Sequence, residues 1–239
     1  MSIEKQIYDL VSQANPDNPL AFVQNIVKPM AKEKLDEYII DCTECDISCN
    51  SVKTVTRGNP NAPILIIGES VSKEQQEAGK ITFPLYEDKA ADNLDNILNY
   101  LNVDKNSLFY VNSVNCYPNR NGNKRSSTVK ERSNCKTFLD YAIKIVEPLL
   151  IICLGSVATN AINEEIGKQA ISEIRGNYFN YRGIKVLPTY NPKYFDYLES
   201  LDTMDEEYIN SLRYDFFNDL KMGFFDLQKE YPDLDIIKE

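Results

Sequence analysis

Polar side chains that could do chemistry follow apolar stretches at three places in the chain. Glu69 comes directly after residues 64–68, Asn112 interrupts a second apolar run, and Asn191 follows residues 185–190. Such runs predict buried strands, and the carboxyl ends of parallel strands meet at one sheet edge, where ligands bind. A carboxylate there can serve in catalysis, and a carboxamide can read a polar ligand edge. For Glu69 the alternative is a surface acid that caps the next helix.

Four of the six cysteines have a spacing that favours a metal centre. Cys42 and Cys45 form a Cys-x-x-Cys turn, and Cys116 and Cys135 lie 19 residues apart. A zinc ribbon normally repeats the close pair, so this pattern favours an iron–sulfur cluster over zinc. The alternative is that these thiols are ordinary core residues, which is how we interpret Cys153, inside a continuous apolar segment.

Composition excludes several classes of protein. The 239-residue chain has no histidine, which rules out histidine-based triads, histidine-ligated zinc enzymes and imidazole bases. No apolar run approaches the ~20 residues that span a membrane, and the first residues lack the apolar core of a signal peptide. The sequence therefore predicts a cytoplasmic protein with no membrane partner, in which thiols stay reduced.

The net charge of −10 is unevenly distributed. Residues 196–239 carry 13 acidic and 4 basic side chains, whereas residues 1–195 carry 23 and 22. We interpret the acidic end as a packing helix, with a protein-binding arm as the alternative. A basic cluster that suits phosphates lies between residues 117 and 136, where Glu131 is the one acidic residue. The cluster consists of Arg120, Lys124, Arg125, Lys130, Arg132 and Lys136.

Strand-like and helix-like segments alternate along the chain, as in α/β folds with parallel sheets. Strands are predicted at residues 64–68, 109–112, 149–154 and 185–190, a hairpin after residues 174–176, and helices at residues 3–13, 19–40, 90–101, 128–146 and 204–229. This order predicts a three-layer α/β/α sandwich with a central, mostly parallel four-stranded sheet and extra N- and C-terminal helices. We expect a helical extension over residues 1–40, the α/β domain with the cysteine site over residues 41–198, and a packed acidic helix over residues 199–239.

Eight short motifs stand in one order along residues 38–195: Cys42-x-x-Cys45, Arg57-Gly58-Asn59-Pro60, Ile64-Leu-Ile-Ile-Gly68-Glu69, Tyr110-x-Asn112-x-x-x-Cys116-x-Pro118, Cys135 before Phe138-Leu139, Ile152-x-Leu154-Gly155-x-x-Ala158, Ile174-Arg175-Gly176 and Leu187-Pro188-Thr189-Tyr190-Asn191-Pro192. In this order they resemble the iron–sulfur uracil-DNA glycosylases, family 4 of that superfamily. Each motif is weak alone, but the ordered set is specific.

The resemblance implies a structural [4Fe–4S] cluster, with zinc as the alternative occupant, and a partner that is uracil-containing DNA, single- or double-stranded. The cluster ligands would be Cys42, Cys45, Cys116 and Cys135. Contacts to DNA are expected from Arg120, Lys124, Arg125, Ser156 and Lys193.

The resemblance also assigns roles around a base that has left the stack. Asn112 would hydrogen-bond the uracil edge, Phe83 would stack on the base, and Gly68 and Ser70 would complete the substrate site. Glu69 would position the attacking water or stabilise the sugar cation. Asn191 would act on the leaving base, and the segment after it would wedge the duplex.

Two departures from the family pattern keep rival functions open. Ser70-Val71-Ser72 replaces Gly/Ala-Pro-Gly in the first motif, and Asn191 stands where the family has histidine. The first hypothesis is a glycosylase that excises uracil or a related modified pyrimidine. The second is a catalytically weakened relative that acts as a DNA- or partner-binding scaffold in repair or replication. The third is an enzyme of this fold that acts on free nucleotides or a hypermodified base.

Overall fold

A six-stranded sheet forms the centre of the computed structural model, which describes residues 19–79, 89–120, 122–201 and 203–238. The strands are β1 (Arg57–Gly58), β2 (Ile64–Ser70), β3 (Leu108–Val114), β4 (Asn119–Arg120), β5 (Asn123–Lys124), β6 (Leu150–Leu154), β7 (Phe179–Tyr181) and β8 (Ile184–Thr189). The sheet order is β1-β3-β2-β6-β8-β7, and β4 pairs with β5 in a separate ribbon. The four inner strands run parallel, which confirms the predicted mostly parallel α/β sheet.

The sheet is wider than the four strands that were predicted, because an antiparallel strand lies at each edge. β1 has only two residues, which is too short to show an apolar pattern. β7 belongs to the hairpin predicted after residues 174–176 and pairs with β8. The ribbon of β4 and β5 lies in the segment that we expected to be a loop.

Side chains of the inner strands alternate between two hydrophobic cores, one on each face of the sheet. Ile64 and Ile66 of β2 pack in one core, and Leu65 and Ile67 pack in the other. A strand places successive side chains on opposite faces, and both faces here are covered. This burial explains the continuous apolar runs in the sequence, and it confirms the three-layer arrangement.

Helices form the two outer layers. They are α1 (Pro19–Phe22), α2 (Lys28–Ile40), α3 (Lys73–Ala78), α4 (Lys89–Tyr100), α5 (Val129–Val146), α6 (Gly155–Ile162), α7 (Glu164–Gly167), α8 (Ile171–Ile174), α9 (Lys193–Glu199) and α10 (Glu206–Glu230), and a π-helical turn, Val23–Val27, joins α1 to α2. One face of the sheet is covered by α4, α9 and α10, and the other by α2, α5 and α6. The predicted helix at residues 3–13 lies outside the described residues. None of the helices in the described ranges is long and apolar enough to cross a membrane.

The C-terminal helix α10 belongs to the core. Its buried side chains include Leu212, Phe216, Leu220 and Phe224. Gly223 allows the helix to approach the sheet closely, because a Cβ atom there would lie 2.8 Å from a methyl group of Leu187. The acidic C-terminal segment is therefore a packed structural element as well as a charged one.

Candidate active site

Glu69 lies within its strand and not after it as predicted, and Asn112 lies inside β3 and not at its predicted carboxyl end. β2 extends to Ser70, and it pairs with β3 so that Gly68 stands beside Asn112. The Ser113 hydroxyl donates to the Glu69 carbonyl oxygen at 2.6 Å. The pairing of β2 with β3 extends to Ser70 and Val114, so the backbone ladder continues past both polar residues. The strands therefore end later than their apolar runs.

Glu69 and Asn191 face each other at the carboxyl edge of the sheet. The Asn191 Nδ2 atom lies 3.4 Å from Glu69 Oε2, and Asn191 Oδ1 accepts a hydrogen bond from the Lys193 backbone N–H at 3.1 Å. This second contact fixes the amide orientation, so its N–H donors point towards the carboxylate. Gly155 closes the other side, since a Cβ atom there would lie 3.0 Å from the Asn191 Cβ. The sequence prediction that these polar groups converge is confirmed for this pair.

Two buried polar atoms on β2 and β3 have no hydrogen-bond partner within the described ranges. They are Nδ2 of Asn112, a residue only 4% exposed, and the hydroxyl oxygen of Ser70. Buried polar groups are nearly always paired, so such atoms call for a ligand or another functional explanation. Both belong to residues that the sequence assigned to substrate binding.

An open cleft of about 1220 Å³ lies over this edge of the sheet. It contains most of the predicted catalytic and DNA-contacting residues, namely Glu69, Lys124, Arg125, Ser156, Asn191 and Lys193. The predicted substrate-binding residues Gly68, Ser70 and Asn112 do not line the cleft. Arg120 belongs to β4, and its side chain, like Phe83, lies outside the described part of the structure.

The basic cluster is partly neutralised by its own neighbours. Arg125 forms two hydrogen bonds with Glu131, at 2.5 and 2.8 Å, and these contacts lower the pKa of that carboxyl to about 2. Lys136 pairs with Asp140 at 2.8 Å. The expected surplus of positive charge around Glu131 is therefore smaller than the sequence indicated.

The thiols of the four predicted ligands lie near one another. Burial and the neighbouring thiol of Cys42 raise the pKa of Cys116 to about 11. Burial, with contributions from Cys116, Cys45 and Cys42, raises that of Cys135 to about 12. Over the described ranges, no three cysteine, aspartate or glutamate side chains are grouped so that they could hold one metal ion. Cys153 is buried in β6, as predicted.

The buried ion pair between Arg175 and Asp219 was not predicted from the sequence. The Arg175 Nε atom donates to Asp219 of α10 at 2.8 Å, and the Thr189 hydroxyl donates to the same carboxylate at 2.7 Å. The guanidinium group also lies over the Tyr190 ring, 5.7 Å from its centroid. The signal was an aspartate placed on the apolar face of a predicted helix, next to Leu220 in sequence.

Known proteins to which this chain is similar are named as uracil-DNA glycosylases. Residues 55–213 match the family model of the uracil DNA glycosylase superfamily. A type-4 uracil-DNA glycosylase from Thermotoga maritima is 29% identical over 165 residues, which cover 68% of this chain and 81% of that protein. Another protein of that name, from Sulfurisphaera tokodaii, is 27% identical over 188 residues, covering 76% and 83%. A type-5 uracil-DNA glycosylase from Pyrobaculum aerophilum is 26% identical over 90 residues, covering 38% of each chain.

Proposed function

The chain belongs to the uracil DNA glycosylase superfamily, and on this premise we propose that it hydrolyses the N-glycosidic bond of uracil, or of a related modified pyrimidine, in DNA. The observation that carries the proposal is the Glu69–Asn191 pair, an acceptor and an oriented amide donor 3.4 Å apart in an open cleft. The superfamily relatives described above are named for the same activity.

The pair suits the charges that develop when this bond breaks. The bond between C1′ and the base nitrogen breaks, so the departing base takes the bonding electrons and becomes negative while the sugar becomes positive. A water oxygen then bonds to C1′, and the proton that this water loses neutralises the departed base. The Glu69 carboxylate stabilises the sugar cation and orients the water, and the Asn191 amide donates to the base oxygen that gains charge. An amide donor here takes the place of the family histidine, so the reaction does not need an imidazole.

Recognition of the base is assigned to the two unpartnered polar groups, the Asn112 amide N–H on β3 and the Ser70 hydroxyl on β2. The Asn112 amide would donate to a uracil carbonyl, and Ser70 would add a hydroxyl contact. Gly68, beside Asn112 in the sheet, presents no side chain to an incoming base. Stacking by Phe83 is part of the same proposal and rests on the family resemblance.

We further propose that Cys42, Cys45, Cys116 and Cys135 hold a [4Fe–4S] cluster with a structural role. The thiols of Cys116 and Cys135 are buried, and burial raises the pKa of both. An iron cluster would supply the positive charge that favours the thiolate form. Zinc would need all four sulfurs about 2.3 Å from one ion. In a cluster the thiolates bind different iron atoms and stand further apart.

The cluster proposal is tested by iron content. Protein purified without air should be brown, and Cys135→Ser should lose most of its iron. Cys49→Ser is the matched control, because that exposed thiol lies outside the proposed ligand set. A colourless protein with one zinc per chain would contradict the cluster.

The activity is tested with oligonucleotides that carry one uracil, single-stranded and paired. Glu69→Gln and Asn112→Leu should each slow the appearance of abasic product at least 100-fold, the range seen when one group that stabilises transition-state charge is lost. Asn112→Leu should not lower the melting temperature, because it removes a buried Nδ2 atom that has no hydrogen-bond partner within the described ranges. Glu165→Gln, an exposed glutamate on α7, is the control.

The scaffold hypothesis gives the opposite result. If the wild-type protein binds DNA but releases no base from any uracil or modified-pyrimidine substrate, the protein is a catalytically weakened relative. The division into three parts and a protein partner for the acidic helix both stay predictions.

A further inference from the structure

Three tyrosine rings form a ladder that starts next to the Glu69–Asn191 pair. Tyr190 stacks on Tyr194 with ring centroids 6.3 Å apart, and Tyr194 stacks on Tyr197 at 6.5 Å. The ring planes differ by only 22° and 23°. We call these residues, Tyr190, Tyr194 and Tyr197, the tyrosine ladder.

The ladder leads from the buried edge of the sheet to the surface. Tyr190 is 4% exposed, Tyr194 38% and Tyr197 58%, and all three line the cleft. Packing alone does not explain the outer two rings. Helix α9 is already anchored on its other side by Phe195 and Leu198, which are buried in the core.

The ladder is held in a fixed position relative to Asn191. The Tyr194 backbone N–H donates to the Asn191 carbonyl oxygen at 2.9 Å. The Tyr190 ring packs edge-on against Phe195, with centroids 6.1 Å apart, and lies under the Arg175 guanidinium group. Any group that stacks on the outer rings is therefore placed at a defined distance from the catalytic pair.

Cationic side chains share the cleft with the ladder. Lys73, Lys124 and Lys193 all line it, together with the acids Glu69, Glu74 and Asp196, and Lys193 is the residue directly before Tyr194. Lys193 pairs with Glu74 and Lys73 with Glu77, each at 3.6 Å, and a phosphate would compete with these carboxylates. Aromatic rings combined with cations along a groove are the arrangement that binds single-stranded nucleic acid, because every base has a face that can stack. Phosphates need the cations, and exposed bases need the rings.

We propose that the tyrosine ladder stacks on the bases of single-stranded DNA next to the target nucleotide. This inference rests on the proposed glycosylase function, which it extends by naming the form of DNA that the cleft accepts. In a duplex the base faces are covered by their neighbours, so the rings have partners only where the strand is unpaired. The ladder thus gives a preference for uracil in single strands.

The test uses short single-stranded oligonucleotides without uracil, which report binding separately from catalysis. One 2-aminopurine base replaces a normal base, since its fluorescence falls when it stacks on an aromatic ring. The double variant Tyr194→Ala with Tyr197→Ala should bind at least tenfold more weakly and lose the quenching, because stacking contributes ~1–3 kcal/mol per base. The double phenylalanine variant should retain both signals.

Tyr214→Ala is the matched control, because Tyr214 is also exposed and stacked, here on Phe217, but does not line the cleft. Wild-type affinity in the double alanine variant would overturn the inference. So would a wild-type dimer that the same substitutions convert to a monomer, since the ladder would then be a contact between copies of the chain. If ladder-dependent binding occurs but the wild type excises no uracil, the proposed function fails and the binding site stands.

Discussion

Gly155 controls the position of Asn191 because it has no side chain. Its φ of +88° is in the left-handed region, and a Cβ atom would meet Asn191 at 3.0 Å. We expect Gly155→Ala to lower stability by about 1–2 kcal/mol through backbone strain. It should also slow uracil excision at least tenfold, because Asn191 must shift from its present position relative to Glu69. The measurements are thermal unfolding and single-turnover excision.

Gly183 provides the control for this prediction. It has a similar φ of +90° in the β7–β8 hairpin, but a Cβ atom there would meet nothing within 4 Å. Gly183→Ala should therefore lose comparable stability and retain the wild-type excision rate. Equal rates for both variants would show that Asn191 does not depend on Gly155.

Among the helices and strands, positions that depend on local apolar runs could be predicted from the sequence. Contacts between residues distant in sequence could not. The helices predicted at residues 128–146 and 204–229 correspond closely to α5 and α10, because capping and apolar spacing are local in sequence. Strand ends were missed because hydrogen bonding between β2 and β3 continues past polar residues. The contact between Arg175 and Asp219 joins residues 44 apart, which no local pattern reveals.

Helix α10 also supports the loop that carries Asn191. Asp219 of this helix binds both Arg175 and Thr189, and the latter lies two residues before Asn191. Asp219→Ala leaves a largely buried guanidinium without its main partner, so we expect a loss of about 3 kcal/mol in unfolding free energy. Asp219→Asn retains a hydrogen-bond acceptor, so its loss of unfolding free energy should be smaller. It should still reduce kcat several-fold with little change in KM.

The control for Asp219 is its neighbour on the same helix. Asp215 also approaches Arg175, at 3.4 Å, but its side chain is 42% exposed. Asp215→Asn should change stability by less than about 1 kcal/mol and leave kcat unchanged, as for other exposed ion pairs. Assays well below both melting temperatures separate slower catalysis from partial unfolding. A normal kcat in the folded Asp219→Asn protein would limit the aspartate to a structural role.

For the whole molecule, charge sets how readily DNA approaches. The protein carries a net charge of −10, and most of the excess lies in residues 196–239. Deleting that segment does not isolate the effect of charge, because Phe216, Leu220 and Phe224 belong to the core. Neutralising exposed acids on the intact helix does isolate it.

The two ends of α10 allow this effect to be measured at equal net charge. Glu206 and Glu207 stand beside Tyr208, which lines the cleft, whereas Asp233 and Asp235 follow the other end of this 25-residue helix, ~37 Å away. Removing either pair of charges changes the net charge from −10 to −8. Since exposed charges are screened beyond ~8 Å at 0.15 M salt, only the pair near the cleft should matter.

We expect Glu206→Gln with Glu207→Gln to strengthen binding of single-stranded DNA about threefold at ~0.1 M salt, where the screening length is ~10 Å, by weakening repulsion of the phosphates at the cleft. The gain should fade as salt is raised. Asp233→Asn with Asp235→Asn should bind as the wild type does. Titrations of a labelled oligonucleotide at several salt concentrations measure both, and thermal unfolding checks the first helical turn, where each lost glutamate costs ~0.3–1 kcal/mol. Equal gains for the two pairs would show that DNA responds to net charge and not to the field at the cleft.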